Sequence, residues 1–282
     1  PLHEAGVYYI QEPSAMAPVS YLMEDYDVVQ KEAADCQERI LDLCAAPGGK
    51  STQIAARMHE MYTSGKWKEQ GLLICNEIHP ARAKILSENV ERMGIANAMV
   101  TNESPQRLAE VFEDYFTRIL VDAPCSGEGM FRKNEAACEE WNPENVSLCA
   151  ERQDGILDCA ASMLAPGGRI VYSTCTFAPA ENEGSMMRFL LRHPEFRIVE
   201  VKKADGMSAG VPEWAYFREK MGQVLPEIAQ TIRLWPQHLN GEGHYLAVLE
   251  KEGTLRQGYC RNGEEKGIPA KDLKVPGKGI VE

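Results

Sequence analysis

An apolar run, Ile40-Leu41-Asp42-Leu43-Cys44, breaks directly into Ala45-Ala46-Pro47-Gly48-Gly49-Lys50. Helical periodicity takes over from Lys50 to Glu60. A strand this short and apolar reads as buried on both faces, as in a parallel sheet covered by helices. Small residues in the turn let a ligand approach the backbone, and the helix start offers unpaired amides. The plainer reading is a turn that only lets helix and strand pack closely. The spacing fits neither Gly-x-x-x-x-Gly-Lys-Ser/Thr nor Gly-x-Gly-x-x-Gly, which disfavours a P-loop and a dinucleotide site.

The strand–helix alternation repeats down the chain. Strands are expected at Leu72–Asn76, Ala98–Thr101, Arg118–Asp122 and Arg169–Ser173, with later candidates at Phe196–Val201, Thr231–Trp235 and Tyr245–Glu250. Helices are expected over His79–Met93, Ser147–Leu164 and Ala180–Arg192, and Pro166-Gly167-Gly168 should stop the second of these. The fold class is therefore α/β, with a parallel sheet and helices on both faces. Such sheets bind ligands beyond the carboxyl ends of their strands.

The residues at those ends are polar. Glu77 follows the second strand, where an acid accepts hydrogen bonds from two ribose hydroxyls, although acids there also cap helices. With no pyrophosphate turn, S-adenosylmethionine is favoured over a dinucleotide. The fourth strand ends in Asp122-Ala123-Pro124-Cys125-Ser126-Gly127, and the fifth in Ser173-Thr174-Cys175-Thr176. Two cysteines thus reach the same sheet edge. The chain has nine cysteines, an odd number without a Cys-x-x-Cys pair, so most should be small buried residues in a reducing cytoplasmic setting. Burial alone does not ask for sulfur in a polar loop, so at least one of Cys125 and Cys175 is expected to be a nucleophile. The six histidines are scattered without ligand spacing, and no metal is expected.

The segments Asp42-Leu43-Cys44-Ala45-Ala46-Pro47-Gly48-Gly49-Lys50-Ser51, Asp122-Ala123-Pro124-Cys125-Ser126-Gly127 and Tyr172-Ser173-Thr174-Cys175-Thr176 resemble the Nop/Sun family of RNA cytosine-5 methyltransferases, bacterial ribosomal-RNA branch, related to the 16S enzymes B and F. Ala5 to Ser14 resembles the stretch before that family's cofactor fold, and the likeness runs from about Ala5 to Glu250. It implies a Rossmann-like class I methyltransferase fold with a mostly parallel seven-stranded sheet. It also implies roles. Cys44, Ala45, Ala46, Pro47, Gly48, Gly49 and Lys50 would line the methionine end and ribose of S-adenosylmethionine. Glu77 would hold the ribose hydroxyls, and Asp122 would sit between cofactor and target base. Cys175 would be the nucleophile, and Cys125 would help release the product. The adenine-side acid of the family falls on Ser104 here, with Glu103 one residue earlier.

The implied reaction suits two thiols. Thiolate attack on carbon-6 turns cytosine into an enamine whose carbon-5 can take a methyl group. The target base must leave its stack, which costs less in looped RNA. The expected partner is structured RNA, ribosomal RNA or the small ribosomal subunit, with no membrane and a monomeric enzyme. The net charge of −12 is unusual for such a partner. It leaves most phosphate contacts to segments outside residues 37–251, the expected methyltransferase domain. Residues 1–36 read as a lead-in packing on that core, and 252–282 as a linker toward a C-terminal RNA-binding domain. The chain begins at Pro1 without a leader segment and reads as processed or as part of a longer protein. The rival readings are a transfer-RNA cytosine-5 methyltransferase, an exocyclic-amine methyltransferase, and a non-catalytic cofactor-fold module in ribosome assembly.

Overall fold

The computed structural model describes residues 2–24, 37–133, 135–219 and 224–255. The expected linker beyond 255 and the lead-in residues 25–36 lie outside the described residues. In chain order the strands are β1 (Arg39–Asp42), β2 (Leu72–Asn76), β3 (Ala98–Thr101), β4 (Phe116–Asp122), β5 (Leu164–Thr174), β6 (Phe196–Ile198), β7 (Met207–Ala209), β8 (Ile232–Leu234) and β9 (His244–Lys251). The helices are α1 (Ala17–Leu22), α2 (Gly49–Thr63), α3 (Pro80–Arg92), α4 (Pro105–Val111), α5 (Glu135–Glu140), α6 (Pro143–Met163), α7 (Glu183–Arg192) and α8 (Pro212–Glu219).

One sheet runs β3-β2-β1-β4-β5-β9-β8-β7, with β6 also paired to β9. The first five strands are parallel. Pairing is antiparallel from β5–β9 onward. The α/β class with helices on both faces holds, but among the described residues the sheet has nine strands rather than the seven implied by the resemblance. The extra strand with no sequence signal is β7, three half-exposed residues (Met207-Ser208-Ala209) too short to show alternation.

Alternation along the strands divides the core into two faces. Leu41, Ile74, Ile119, Val121, Ile170 and Tyr172 pack toward α6 and α7, where Leu157, Ala160, Met186 and Phe189 meet them. Ile40, Leu73, Leu120, Val171, Leu246 and Val248 face α1, α2 and α3 through Val19, Leu22, Ile54, Met58 and Leu86. Two buried arginines fasten α1 to the sheet. Arg118 Nη1 donates to the Leu22 carbonyl at 2.6 Å, and Arg169 Nη1 to that of Tyr21 at 3.0 Å. These carbonyls close the last turn of a helix and need outside donors.

Boundaries moved where a polar residue fixes them. α6 starts four residues before the apolar periodicity, because Asn142 Oδ1 accepts the Asn145 amide at 2.7 Å. Pro166-Gly167-Gly168 does not end a helix into a loop. It lies within β5, where the pairing with β4 shifts between Phe116 and Arg118. No helix among the described residues is long and apolar enough to cross a membrane.

Candidate active site

The sheet order reverses between β1 and β4, and the site lies beyond the carboxyl ends of those two strands, as doubly wound sheets require. Asp42 ends β1 and is fully buried. Ser51, in the first turn of α2, donates to Asp42 Oδ2 at 2.7 Å, while Oδ1 has no partner. Burial, with the Asp122 charge next to it, pushes the Asp42 carboxyl up to about 7. Asp122 ends β4. Lys50 Nζ donates to its Oδ2 and Ser173 Oγ to its Oδ1, each at 2.7 Å. Burial opposes the Asp122 charge, but Lys50 and the two hydrogen bonds outweigh it and hold the carboxyl below its ordinary value. The same ion pair lifts Lys50 against the pull of its own burial.

The turn between β1 and α2 is held open by its neighbours. Ala45 N donates to Asn76 O at 2.8 Å, Arg82 Nη2 to Ala46 O at 2.8 Å, and Asn89 Nδ2 to Pro47 O at 2.8 Å. Gly48 sits at φ +111°, a left-handed backbone closed to most residues with a Cβ. A cavity of about 220 Å³ opens above the turn. Asp42, Cys44 through Pro47, Gly49, Lys50 and Asp122 form one wall. Tyr9 to Glu12 and Ala15 form the other.

Two expected cofactor residues stand apart from this cavity. Glu77 is buried at the end of β2, where its Oε1 accepts the His79 amide at 2.9 Å and its Oε2 lies 3.4 Å from Arg82 Nη1. Ser104 caps α4, accepting the Arg107 amide at 3.3 Å. Glu103 is half-exposed and pairs with Arg107 at 3.2 Å, while its backbone is clamped by Asn76.

The two loop cysteines meet. Cys125 Sγ lies 3.2 Å from Cys175 Sγ, and the Cys175 amide donates to Cys125 Sγ at 3.3 Å. Both are free thiols. The proton that Cys125 shares with the Cys175 sulfur, together with burial, raises the Cys125 pKa well above that of an ordinary thiol. Cys44 and Cys75 are likewise raised by burial, Cys75 to about 12.

A second polar system beneath the thiols escaped the sequence reading. Glu181 accepts from the Ser126 amide at 3.1 Å, from Ser126 Oγ, and from Gln153 Nε2 at 2.7 Å. Gln153 Nε2 also reaches Pro124 O at 2.9 Å, and Tyr172 OH donates to Glu181 O at 2.7 Å. Glu128 Oε2 accepts from Thr176 Oγ1 and the Phe177 amide. Glu181 thus links the Cys125 loop to the segment after Cys175. The available signal was three consecutive polar residues, Glu181-Asn182-Glu183, entering an amphipathic helix. The N-terminal wall, Tyr9 to Glu12, was also missed as part of the cavity.

A family model described as 16S rRNA methyltransferase RsmB/F matches residues 31–250. Ribosomal RNA small subunit methyltransferase F of Shewanella denitrificans is 32% identical over 269 residues, covering 95% of this chain and 48% of that protein. The same-named protein of Serratia proteamaculans is 34% identical over 259 residues, covering 90% and 47%. The chain spans about half the length of the curated relatives it matches. Among solved structures, a methyltransferase homolog protein from Pyrococcus horikoshii superposes with a TM-score of 0.70 at 25% identity, covering 89% of this chain and 70% of the other. NSun6 from Pyrococcus horikoshii with SFG gives a TM-score of 0.66 at 25% identity, covering 89% and 55%.

Proposed function

The chain belongs to the 16S rRNA methyltransferase RsmB/F family, and from that premise we propose that it methylates carbon-5 of a cytosine in ribosomal RNA, with S-adenosylmethionine as methyl donor. The observation that carries this reading is the pair of thiols, 3.2 Å apart, one in the loop after Asp122 and the other after the neighbouring strand β5. An amine methyltransferase or an assembly scaffold has no use for that pair.

The residues present fit the cofactor. Asp42 Oδ1, buried and unpartnered on the cavity wall, suits an ammonium group. The Cys44–Lys50 turn offers bare backbone, and Glu77 stands at the next strand end for ribose hydroxyls. The Ser104 hydroxyl keeps its proton free for adenine while its oxygen caps α4. The homologous NSun6 structure with SFG, an S-adenosylmethionine analogue, points the same way. When bound, the cofactor supplies an electrophilic methyl group.

The protein's own groups do the rest. Cys175, in the Ser173-Thr174-Cys175-Thr176 segment that resembles the family's nucleophile motif, takes the nucleophile's part, with Cys125 Sγ 3.2 Å from its sulfur. Cys175 attacks carbon-6. Ionised Asp122 takes a hydrogen bond from the exocyclic amine, and Lys50 sets positive charge where negative charge develops on the ring. Cys125, in contact with Cys175, assists departure of the product. Residues 37–251 form the catalytic domain, with 1–36 as lead-in and 252–282 leading to an RNA-binding domain that supplies phosphate contacts. The enzyme works as a monomer in the cytoplasm, where ribosomal RNA is made.

The test is a denaturing gel of Cys125→Ala and Cys175→Ala proteins with unmodified ribosomal RNA and S-adenosylmethionine. Cys125→Ala should run as a covalent RNA adduct and Cys175→Ala should not. An inverted pattern would exchange the two roles. Methylation by the unmutated protein with no adduct in either variant would sink the covalent mechanism.

A further inference from the structure

Removing the carbon-5 proton requires a base. The sheet supplies one at His244, the first residue of β9. The antiparallel register ends with Thr174 opposite Tyr245, so Cys175 and His244, the next residue on each side, leave the sheet at the same edge. Alternation along β9 puts His244 on the same face as Leu246. That face is the one carrying Ser173 and Asp122, since Leu246, two residues on from His244, pairs with Ser173 and packs on the α1 side. The backbones converge tightly here. A Cβ on Gly129 would lie 2.3 Å from Gly243 O and 2.8 Å from Cys175 O.

The ring of His244 is 4% exposed and oriented by a hydrogen-bond chain. Ser14 Oγ donates its only proton to Glu12 Oε2. The same oxygen accepts the Glu242 amide at 3.1 Å and lies 3.1 Å from His244 Nδ1. With its proton committed to Glu12, Ser14 can only accept from the histidine, so Nδ1 carries the hydrogen and Nε2 carries the lone pair. The carboxylate end is ionised: burial opposes the charge of Glu12, but hydrogen bonds from Ser14 and Ala15 overcome it. The groups facing the ring are Asp122 and Lys50 from the sheet edge, Glu12 from the N-terminal segment and Glu242 from its own loop. Burial outweighs the neighbouring carboxylates and holds the imidazole below its ordinary value, which keeps it neutral near pH 7.

We propose that His244, held in its Nδ1–H tautomer by Ser14 and Glu12, is the catalytic base that takes the carbon-5 proton. This rests on the cytosine-5 reading above. In the methylated adduct, carbon-6 bears Cys175 Sγ and carbon-5 bears both methyl and hydrogen. Nε2 takes the proton. The carbon–hydrogen electron pair becomes the carbon-5–carbon-6 double bond, and the carbon-6–sulfur bond breaks with its pair returning to Cys175 as thiolate. If thiolate and methyl enter from opposite ring faces, the hydrogen is left on the Cys175 side, and the base must reach it from there.

The experiment uses the full-length protein and unmodified ribosomal RNA carrying tritium at cytosine carbon-5. His244→Asn keeps a donor for Ser14 but cannot take a proton. It should cut tritium release by about 100-fold or more. It should also accumulate an RNA adduct that contains the transferred methyl group, which a misfolded or merely loosened site would not do. Ser14→Ala, which frees the tautomer, should slow release. Full tritium release by His244→Asn would overturn the inference alone. So would loss of adduct and methyl transfer together, which marks a structural role. If the unmutated protein methylates this RNA without releasing tritium, the cytosine-5 reading itself fails, and the inference with it.

Discussion

Two polar systems flank the thiols, and they are built on opposite plans. On the α1 side, Asp42, Asp122, Lys50 and Ser173 line a cavity, and capacity is left over: Asp42 Oδ1 is buried with nothing to bind. On the α6 side, Glu181, Gln153, Ser126 and Thr176 are interlocked, and both Glu181 oxygens are taken. Buried polar groups left unmade cost stability, and one that stands on a cavity wall is open for a ligand to complete. The first system is arranged to receive something. The second is arranged to hold two loops in register so that Cys125 and Cys175 touch. Damage to the two sides should therefore be seen in different measurements.

The largest effect is expected at Asp122. Asp122→Asn keeps an acceptor for Ser173 but removes the charge facing Lys50 and the base. Methyl transfer should fall about 100-fold or more, in kcat rather than KM, because the lost interaction is one made as ring charge develops. A stability loss equal to that of Glu181→Gln, with activity intact, would erase the distinction between the two sides.

Glu181→Gln tests the other side. It replaces one acceptor oxygen with an amide donor among three donors: the Ser126 amide, the Ser126 hydroxyl and the Gln153 amide. Stranding one of them should cost about 1–3 kcal/mol in urea unfolding. Activity per folded molecule should fall much less than for Asp122→Asn. An unchanged midpoint would mean that the network does not hold the loops.

Asp42 gives a pH signature to the ligand side. Its carboxyl is raised to about 7 when folded. Its contribution to stability is therefore full below the unfolded value, near 4, and is lost as pH climbs through about 7. A cationic ligand beside it favours the ionised form, so binding should gain with pH over the range where free-protein stability declines. S-adenosylmethionine affinity should rise up to about fivefold from pH 6 to pH 7. Titration calorimetry of the unmutated protein and of Asp42→Asn would show it. The variant should have weaker binding and a flat pH profile. An equal slope in both would remove Asp42 from the cofactor site.

Much of this was legible in the chain because a parallel strand buried on both faces leaves an unbroken apolar run and ends abruptly. Ile40-Leu41-Asp42-Leu43-Cys44 and Arg118-Ile119-Leu120-Val121-Asp122 therefore marked both the strands and the acids at their ends. Cys125 and Cys175 were legible for the same reason, one loop beyond parallel neighbours. What stayed hidden depends on distant partners. Glu181 looks like any helix-start acid until Gln153, in the middle of α6, is brought beside it. Ser14 and Glu12 acquire meaning only when the N-terminal segment folds over the sheet edge onto β9. Arg118, in the middle of a strand, is buried only because Glu38 and the end of α1 meet it. β7, with three residues and no alternation, carries no local signal.

The smallest effect separates two roles at one residue. Ser104 was expected at the adenine and is found capping α4, with its oxygen on the Arg107 amide. Ser104→Ala should cost about 0.5–1 kcal/mol of stability, at the low end for a cap because α4 is a single short helix. If the hydroxyl also donates to adenine, cofactor affinity should fall by a further severalfold, the worth of one neutral hydrogen bond. Ser104→Asp retains a capping oxygen but removes that donor, and adds an acceptor suited to the adenine amine. Restored stability with restored binding would mean that the carboxylate does the adenine-side work in this position. Restored stability with weak binding would mean that the hydroxyl proton does it. Unchanged affinity in both variants would leave Ser104 as a cap alone, and would shift the adenine contact to the Glu103 backbone that Asn76 already holds in place.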